Sequence, residues 1–330
     1  MKTKLLKQLK IGVIVITLLG VAGCTKTETQ QSNPKLAKFE FLIDWQAEPT
    51  YIGIYYAKHL GLFKELGLDV EIIQSWGANQ AVASVASGRY KIATASGGAT
   101  VLGYNSDAKI VSLAVLYPKI PSVVYGLAPT GVTNLAGLRG KKIGIYPSSI
   151  TANEFQAFVA ANHLNTNEFS VVSISGSDIP LLKSGQVDAV LNYWEMSPAA
   201  IEVDPNFTEV GGRRTFDISL AKNGVAGYGL NIITSRAELV KEGDLLKKIA
   251  AAAVEGYRRA CQNPDDAIAA FLKEFPDKNS AYLHEGLNRV CSMIGTNYGT
   301  QGSEGWQETI NVYRDLGLVK KDVKPEDLLP

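Results

Sequence analysis

A strand–helix pattern occurs twice in this chain and leaves few folds open to it. In each copy Ser-Gly follows a predicted helix and precedes a predicted strand by two residues, at 86–93 (ASGRYKIA) and at 183–190 (KSGQVDAV). Gly88 and Gly185 stand where the helix ends, because the residue after a last turn commonly takes the left-handed conformation. The repeat predicts two α/β lobes of the same design.

Alternating apolar residues and helical spacing assign the elements of both copies. We predict strands at 39–43, 69–73 and 91–95 with helices at 52–60 and 80–87, and then strands at 142–146, 170–174 and 187–191 with helices at 152–162 and 178–183. A strand at 228–234 is predicted to return to the first lobe, and helices follow at 245–260, 264–275, 280–294 and 305–316. This alternation is typical of an α/β fold with parallel strands.

Two similar lobes imply a cleft between them. Loops at the carboxyl ends of parallel strands are where α/β folds bind their ligands. We therefore expect the ligand site in the interlobe cleft, built by the loops that follow the predicted strands.

The N-terminus has the pattern of an export signal. Lysines at positions 2, 4, 7 and 10 precede the apolar or small residues at 11–23, and Cys24 follows. That run is too short for a helix that crosses about 30 Å of hydrocarbon. Residues 21–24 (VAGC) also resemble the lipobox of bacterial lipoproteins, in which the cysteine is acylated. We predict a signal peptide at 1–23 and lipidation of Cys24; the alternative is an ordinary secreted protein with an incidental cysteine.

The residues after Cys24 are typical of a tether. The segment 25–34 carries no apolar side chain large enough to anchor a core, so we predict a disordered, lipidated tether at 24–37. About 290 residues remain for the folded part, enough for one large or two medium domains. Without the signal peptide the chain has 29 basic and 32 acidic residues. A slightly acidic chain gives no indication of a nucleic-acid partner.

Two further cysteines, Cys261 and Cys291, admit two interpretations. An exported protein with a single remaining pair of cysteines can oxidise it to a disulfide. Isolated cysteines are also common as small core residues. The sequence leaves both open.

Several segments resemble one group of transport proteins. Residues 44–57 (DWQAEPTYIGIYYA), 61–63 (GLF) and 67–70 (GLDV) are similar to the opening of the solute-binding proteins of bacterial ABC importers in the nitrate, sulfonate and thiamine-precursor branch. Segments near the end are similar to the members that bind thiamine pyrimidine precursors: 298–301 (YGTQ), 306–309 (WQET), 317–319 (GLV) and 323–327 (VKPED). The resemblance runs from about Phe39 to Leu328.

The resemblance implies a type II periplasmic-binding-protein fold, with two α/β lobes, a hinge and an interlobe cleft. Lobe 1 would comprise 38–122 and 228–330, and lobe 2 would comprise 123–227. A monomer that closes on a small ligand and delivers it to an ABC permease is implied as well. The lipid on Cys24 would hold it on the outer side of a bacterial cell membrane, in the periplasm or at the cell surface.

One relative of this group is an enzyme, a fungal synthase of the thiamine pyrimidine. The resemblance places its sacrificial histidine at the position of Tyr51 and a cysteine-rich run near 225–229, and this chain has neither. His59, His163 and His284 fall in helical or helix-end sequence away from those loops, and we interpret them as structural or surface residues. We therefore expect a binding protein without a catalytic residue, cofactor or metal.

Aromatic side chains follow the first two predicted strands. Trp45 comes just after the first strand, where a flat apolar ring can stack on a heterocycle, and Tyr51 in the same loop can add a ring edge or a hydroxyl. Trp76 and Asn79 occupy the equivalent loop after the second strand. The alternative roles are a core tryptophan for Trp45 and interlobe packing for Trp76.

The loop after the third strand contains Ser96, Gly97 and Gly98 and is predicted to open a helix. Free N–H groups and the helix dipole at such a terminus attract an acceptor or an anion. A glycine pair is equally suited to a tight turn. We list all three residues as candidate ligand contacts.

Hydroxyl groups dominate one loop of the second lobe. Tyr146, Ser148, Ser149 and Thr151 lie between a strand and a helix, and they can bind a ligand or cap the helix. We expect at least one of them to be only a cap.

The other loop of the second lobe carries an aromatic pair and an acid, Tyr193, Trp194 and Glu195. The resemblance aligns it with a loop that has an aromatic and an acid in pyrimidine-precursor binders. A carboxylate can pair with an aminopyrimidine in a bidentate way, and such charge-assisted pairs are strong. The alternative for Glu195 is a solvated acid at a helix start. Tyr228, at the start of the returning strand, completes the candidate set.

The sequence therefore predicts an extracytoplasmic ABC-importer component that binds a small aromatic heterocycle, in particular a thiamine pyrimidine precursor. Riboflavin, a sulfonate or nitrate are the alternatives within the fold. A pyrimidine synthase and a purely structural lipoprotein are the alternatives outside it.

Overall fold

The computed structural model describes residues 36–330, apart from Thr133 and Ser148. The predicted signal peptide, Cys24 and most of the tether lie outside the described residues. The described strands are β1 Ala37–Ile43, β2 Leu68–Gln74, β3 Ala93–Ser96, β4 Ile110–Val115, β5 Ser122–Leu127, β6 Lys142–Ile145, β7 Ser170–Ser173, β8 Ala189–Tyr193, β9 Thr215–Ser219 and β10 Leu230–Ser235. The α-helices are α1 Ile52–His59, α2 Ala78–Ala86, α3 Gly97–Asn105, α4 Ile150–Ala161, α5 Asp178–Lys183, α6 Ser197–Val203, α7 Arg236–Gln262, α8 Pro264–Glu274, α9 Ser280–Ile294, α10 Ser303–Asp315 and α11 Pro325–Leu328.

The strands form two five-stranded sheets of the same plan. The first has the order β2-β1-β3-β10-β4 and the second the order β7-β6-β8-β5-β9. In each, the first three strands of the order are parallel and the fourth is antiparallel to its neighbours. The chain passes between the sheets twice, after β4 and after β9.

The repeated Ser-Gly motif ends a helix in both halves, as predicted. Gly88 and Gly185 have φ angles of 74° and 68°. In each case the glycine N–H donates to a carbonyl three residues earlier, Val85 in one copy and Leu182 in the other. The duplication seen in the sequence is thus a duplication of local structure.

Three strands, the short helices α6 and α11, and part of α7 escaped the prediction. The strands β4, β5 and β9 are antiparallel additions to the two sheets. β4 and β5 are buried along nearly their whole length, so they lack the alternation that marks a half-buried strand. The predicted helix at 245–260 was wrong at its start, because α7 begins at Arg236 and passes through a kink at Glu242.

Close contact between α1 and α7 organises the core of the first sheet. A Cβ added to Gly256 would lie 2.2 Å from the carbonyl oxygen of Gly53, and one added to Gly53 would lie 2.3 Å from the ring of Tyr257. The two glycines let the helix backbones approach closely. The Tyr257 hydroxyl reaches across and donates to the Thr50 carbonyl at 2.7 Å, so this crossing positions the segment that precedes α1.

Helix α9 is tied to α7 by a disulfide. Cys261 and Cys291 are joined, with 5.5 Å between their Cα atoms. Tyr282 and Lys278, on α9 and just before it, both bind the Glu48 carboxylate at 2.8 Å. α9 thereby fixes the loop that follows β1.

Candidate functional site

The carboxyl end of β1 presents a buried acid. Asp44 follows β1 directly, and its Oδ1 accepts hydrogen bonds from the Tyr51 hydroxyl at 2.9 Å and from the Thr94 hydroxyl at 2.5 Å. Burial raises the pKa of this carboxyl, and the bonds from Thr94 and Tyr51 oppose that rise. Asp44 was not among the predicted site residues, although its place between a strand end and Trp45 was the signal that could have identified it.

Glu195 follows β8 of the second sheet and is completely buried, with an exposed fraction of 0%. Its Oε1 accepts from the Thr50 hydroxyl at 2.9 Å and from the Tyr117 hydroxyl at 3.1 Å. Among the described residues Oε2 has no hydrogen-bond partner. Burial raises the pKa of Glu195 to about 7. The surface-acid interpretation of Glu195 is therefore wrong.

The same geometry changes the role expected for Glu195. A bidentate pair needs both carboxyl oxygens, and the two hydroxyl donors already occupy the two lone pairs of Oε1. Only Oε2 is left for a ligand.

Trp194, beside Glu195, is held by an arginine of α9. The Arg289 guanidinium lies 4.9 Å from the Trp194 ring centroid and donates to the Trp194 carbonyl at 2.9 Å. Its Nε donates to Glu285 at 2.7 Å. The indole Nε1 of Trp194 is buried and has no partner among the described residues. Two neighbouring residues thus each carry an unsatisfied buried polar atom.

Tyr193 lies where the acidic groups of both sheets converge. Burial raises its pKa well above the usual value, and the charges of Glu154, Asp44 and Glu195 raise it further. Asp44 comes from the first sheet, whereas Glu154 and Glu195 belong to the second. The site is therefore acidic and rich in hydroxyl groups.

Glu154, on α4, is the second residue that the sequence analysis missed. It is buried, and its Oε2 accepts from the Ser122 hydroxyl at 2.5 Å. The Tyr313 hydroxyl also binds it, while burial raises its pKa to about 7. Its place on α4, four residues after Ile150 and four before Phe158, both buried, was the signal that could have identified it.

Two tryptophans stand at an exposed edge of the first sheet. The rings of Trp45 and Trp76 meet edge to face with 6.2 Å between centroids, and they are 40% and 71% exposed. The core alternative for Trp45 is wrong. Asn79, at the start of α2, is exposed as well. These residues leave an apolar ring face accessible beside Asp44.

The glycine pair that opens α3 is closely packed. Ser96 caps the helix by accepting from the Ala99 N–H at 3.2 Å, and the Gly97 N–H donates to the Gly229 carbonyl at 2.6 Å. A Cβ on Gly98 would lie 1.8 Å from the Tyr313 hydroxyl oxygen. The two glycines are thus needed because other parts of the chain pack closely against the start of α3. The predicted roles, a ligand contact or a tight turn, did not include this close packing.

The hydroxyl loop of the second sheet is bonded largely to itself. Tyr146 donates to the Gly176 carbonyl at 2.8 Å, and Ser149 donates to the Tyr146 carbonyl at 2.7 Å. The hydroxyls of Ser149 and Thr151 are 2.7 Å apart. Ser149 stands at the start of α4 without a capping bond, and Ser148 lies outside the described residues.

Tyr228 is bound to the C-terminal part of the chain. Its hydroxyl accepts from the Gly302 N–H at 2.9 Å, its own N–H donates to the Thr309 hydroxyl at 2.8 Å, and its ring packs on Trp306. These contacts give Tyr228 a structural role where β10 begins.

An open depression at the other end of the first sheet does not compete with this site. It is lined by residues at the amino ends of β1 and β2 and just before β3. Its lysines are paired, Lys38 with Asp69 at 3.6 Å, Lys58 with Glu274 at 3.3 Å and Lys91 with Glu242 at 2.7 Å. The buried atoms without hydrogen-bond partners, on Trp194 and Glu195, instead lie beyond the carboxyl end of β8, and they favour the carboxyl ends of the strands as the ligand site.

The model of the family described as NMT1/THI5 like matches residues 48–267. This chain belongs to that family.

Three curated relatives are similar over most of the chain. The formylaminopyrimidine-binding protein of Halalkalibacterium halodurans is 25% identical, covering 98% of both chains. The riboflavin-binding protein RibY of Chloroflexus aurantiacus is 21% identical, covering 96% of this chain and 95% of that one.

The third relative is named as an enzyme. The 4-amino-5-hydroxymethyl-2-methylpyrimidine phosphate synthase of Schizosaccharomyces pombe is 18% identical, covering 87% of this chain and 84% of the synthase. Tyr51, where the resemblance places the fungal histidine, is buried in the 3-10 helix Pro49–Tyr51 with its hydroxyl on Asp44.

Solved structures confirm the predicted fold class. The periplasmic aliphatic sulphonate binding protein SsuA of Escherichia coli superposes with a TM-score of 0.69 at 14% identity, covering 88% of this chain and 97% of that one. The chain therefore has the two-sheet α/β fold of periplasmic binding proteins. Among the described residues, no helix has both the length and the apolar character to cross a membrane.

Proposed function

We propose that this family member is the solute-binding component of an ABC importer and that it binds an aminopyrimidine of the thiamine-precursor class. The observation that carries the proposal is the completely buried Glu195 carboxyl, whose Oε2 has no partner among the described residues. A buried polar atom without a partner costs about 1–3 kcal/mol. A ligand that hydrogen-bonds Oε2 removes that cost.

The charges around the site separate the ligand classes. Asp44, Glu154 and Glu195 all act on Tyr193, and Arg289, the cation that acts on Glu195, is committed to Glu285 and to a carbonyl. Buried acids disfavour an anion and suit a neutral ligand whose amino group and ring nitrogen can donate and accept hydrogen bonds. The site therefore favours an aminopyrimidine over a sulfonate or nitrate, although a sulphonate-binding protein shares the fold.

The aromatic residues complete the proposed site. Trp45 offers an accessible ring for stacking, and Tyr193 and Trp194 lie beside Glu195 on the second sheet. We place lobe 1 at 38–122 with 228–330 and lobe 2 at 123–227, with the ligand between them. Similarity to a named formylaminopyrimidine-binding protein supports this ligand class.

We further propose that the protein acts outside the cytoplasm as a monomer, held by a lipid on Cys24, and that it makes and breaks no bond in its ligand. The synthase among its relatives is the rival. Tyr51 supports binding without catalysis, because its hydroxyl is buried against Asp44 and is fixed there by a hydrogen bond.

Mass spectrometry of small molecules that co-purify with the full chain tests the ligand class directly. A thermal-shift panel of a 4-amino-2-methylpyrimidine, riboflavin and an alkanesulfonate follows, since ligand at a hundred times its dissociation constant adds about 2.7 kcal/mol of stability. We expect a shift with the aminopyrimidine that Glu195→Ala removes and Glu274→Gln retains, because Glu274 pairs with Lys58 at the surface. A shift with the sulfonate alone would refute the proposal.

A further inference from the structure

The hydrogen bonds of Glu195 divide its two carboxyl oxygens into unlike groups. Oε1 accepts from Thr50 and Tyr117, whereas Oε2 is buried and has no donor among the described residues. A carboxylate that is removed from water needs donors on both oxygens. A carboxylic acid with its proton on Oε2 needs only one hydrogen-bond acceptor there.

Among the described residues, the cation that shifts the pKa of Glu195 is Arg289, and Lys278, just before α9, is paired with Glu48 at 2.8 Å. Four tyrosines interact with Glu195: Tyr117 between the sheets, Tyr193 at the end of β8, Tyr257 on α7 and Tyr282 on α9. Burial has the largest effect on the pKa of each tyrosine and raises it, and the charge of Glu195 raises it further. The other titratable groups that act on these tyrosines are Tyr313 and four carboxyls, Asp44, Glu48, Glu154 and Asp178.

The remaining facing group is Arg289 on α9. Its Nε binds Glu285 at 2.7 Å and its Nη1 binds the Trp194 carbonyl at 2.9 Å. Its charge lowers the pKa of Glu195 less than the hydrogen bonds of the Glu195 backbone N–H, Thr50 and Tyr117 do, and burial outweighs them all. The cation therefore does not compensate the buried charge.

We propose that the cleft binds its ligand together with a single proton, which Glu195 Oε2 donates to an acceptor nitrogen of the ligand ring. The inference rests on the proposed function and adds the protonation state and the hydrogen-bond direction of the contact. The complex contains one proton between Oε2 and the ring nitrogen. Below neutral pH Glu195 already carries it; above neutral pH the protein takes it from solvent as the ligand binds.

The pH dependence follows from this balance. The pKa of Glu195 is raised to about 7 by burial, so the binding form is abundant at acid pH and is lost as pH rises through that value. A group with this pKa is half protonated at pH 7 and about one-hundredth protonated at pH 9. We expect affinity to fall about fifty-fold between pH 7 and pH 9.

Calorimetry on the full chain with 4-amino-5-hydroxymethyl-2-methylpyrimidine tests this, at pH 6 to 9 in phosphate and in Tris, whose ionisation enthalpies differ. We expect close to one proton taken up per ligand at pH 8 and close to none at pH 6. Glu195→Gln places an N–H donor where Oε2 stands, so this variant is expected to keep its affinity at pH 9 and to bind more tightly there than the unmodified protein. Glu154→Gln removes the other carboxyl with a pKa of about 7 and should leave the pH dependence in place.

Several results would overturn the inference. Affinity that rises with pH would mean that the charged carboxylate is the binding form. A pH dependence that disappears in Glu154→Gln would show that Glu154, and not Glu195, carries the proton. If the pyrimidine fails to bind at every pH, the proposed ligand class fails, and a ligand-free measurement still decides the proton. In ¹³C NMR two glutamate carboxyl resonances should titrate near pH 7, one that is absent from Glu195→Gln and one that is absent from Glu154→Gln. A titration near the usual glutamate value would refute it.

Discussion

Replacing Gly256 by alanine sets two effects of known size against each other. Alanine in a helix interior is favoured over glycine by about 1 kcal/mol. In α7, however, the added Cβ would lie 2.2 Å from the Gly53 carbonyl oxygen and 2.6 Å from the Ala57 Cβ. Ordinary contact begins near 3.4 Å, so the two helices would have to separate by about 1.2 Å, the difference between 3.4 and 2.2 Å.

The packing cost is expected to exceed the gain in helix propensity. Overpacking a core costs about 1–3 kcal/mol, and the contact here is with backbone, which has no rotamer to change. After the propensity gain of about 1 kcal/mol, we expect Gly256→Ala to lower the free energy of unfolding by up to about 2 kcal/mol. Ligand affinity should fall too, because Tyr257 holds Thr50, and Thr50 donates to Glu195.

Urea unfolding of the variant and the unmodified protein measures the effect. Gly243→Ala is the matched control in the same helix, since its nearest new neighbour is the flexible end of Leu239 at 3.3 Å. This control is expected to be neutral or stabilising by up to about 1 kcal/mol. Equal stability of Gly256→Ala and Gly243→Ala would show that the α1–α7 crossing yields without cost, and the packing argument would be wrong.

Three other predictions concern the anchor, the disulfide and the ring at the cleft. Cys24→Ser should move the protein from the membrane fraction to the soluble exported fraction, because one acylated thiol holds it; sedimentation with membranes would refute this. Replacing Cys261 and Cys291 together by alanine should cost about 3.6 kcal/mol of unfolding free energy for a separation of 30 residues, and a cost below about 1 kcal/mol in non-reducing urea titrations would contradict the estimate. Trp45→Ala should weaken binding of an aminopyrimidine by about 1–3 kcal/mol if the ring stacks on it, and calorimetry that shows no change would remove Trp45 from the site.

The sequence predicted those parts of the fold that repeat or alternate. The parallel strands and the helices α5 and α9 follow from periodicity and from the glycines that end helices, and they agree with the structure closely. The strands β4 and β5 could not be found in this way, since burial on both faces removes the alternation. Nothing local distinguishes them from other short apolar runs.

The candidate site was predictable only in its loops. Trp45 was selected because it follows a strand, and Glu195 because the resemblance aligns its loop with one that carries an acid. The structure places both loops at the carboxyl ends of strands. The environment of Glu195 was not predictable, because Thr50 and Tyr117 reach it from 145 and 78 residues away in the chain. Glu154 was missed for the same reason: Tyr313, which hydrogen-bonds it, belongs to a helix near the other end of the chain.

The position of β10 has a consequence for the order in which the chain folds. β10 lies between β3 and β4 in the first sheet, yet it is the last strand in sequence. The second sheet draws all its strands from one continuous stretch, 122–219. During synthesis or passage through an export channel, the second sheet can therefore assemble as soon as its own residues emerge. The first sheet cannot be completed until residue 235 is available, so β3 and β4 lack the strand that joins them while the second sheet assembles.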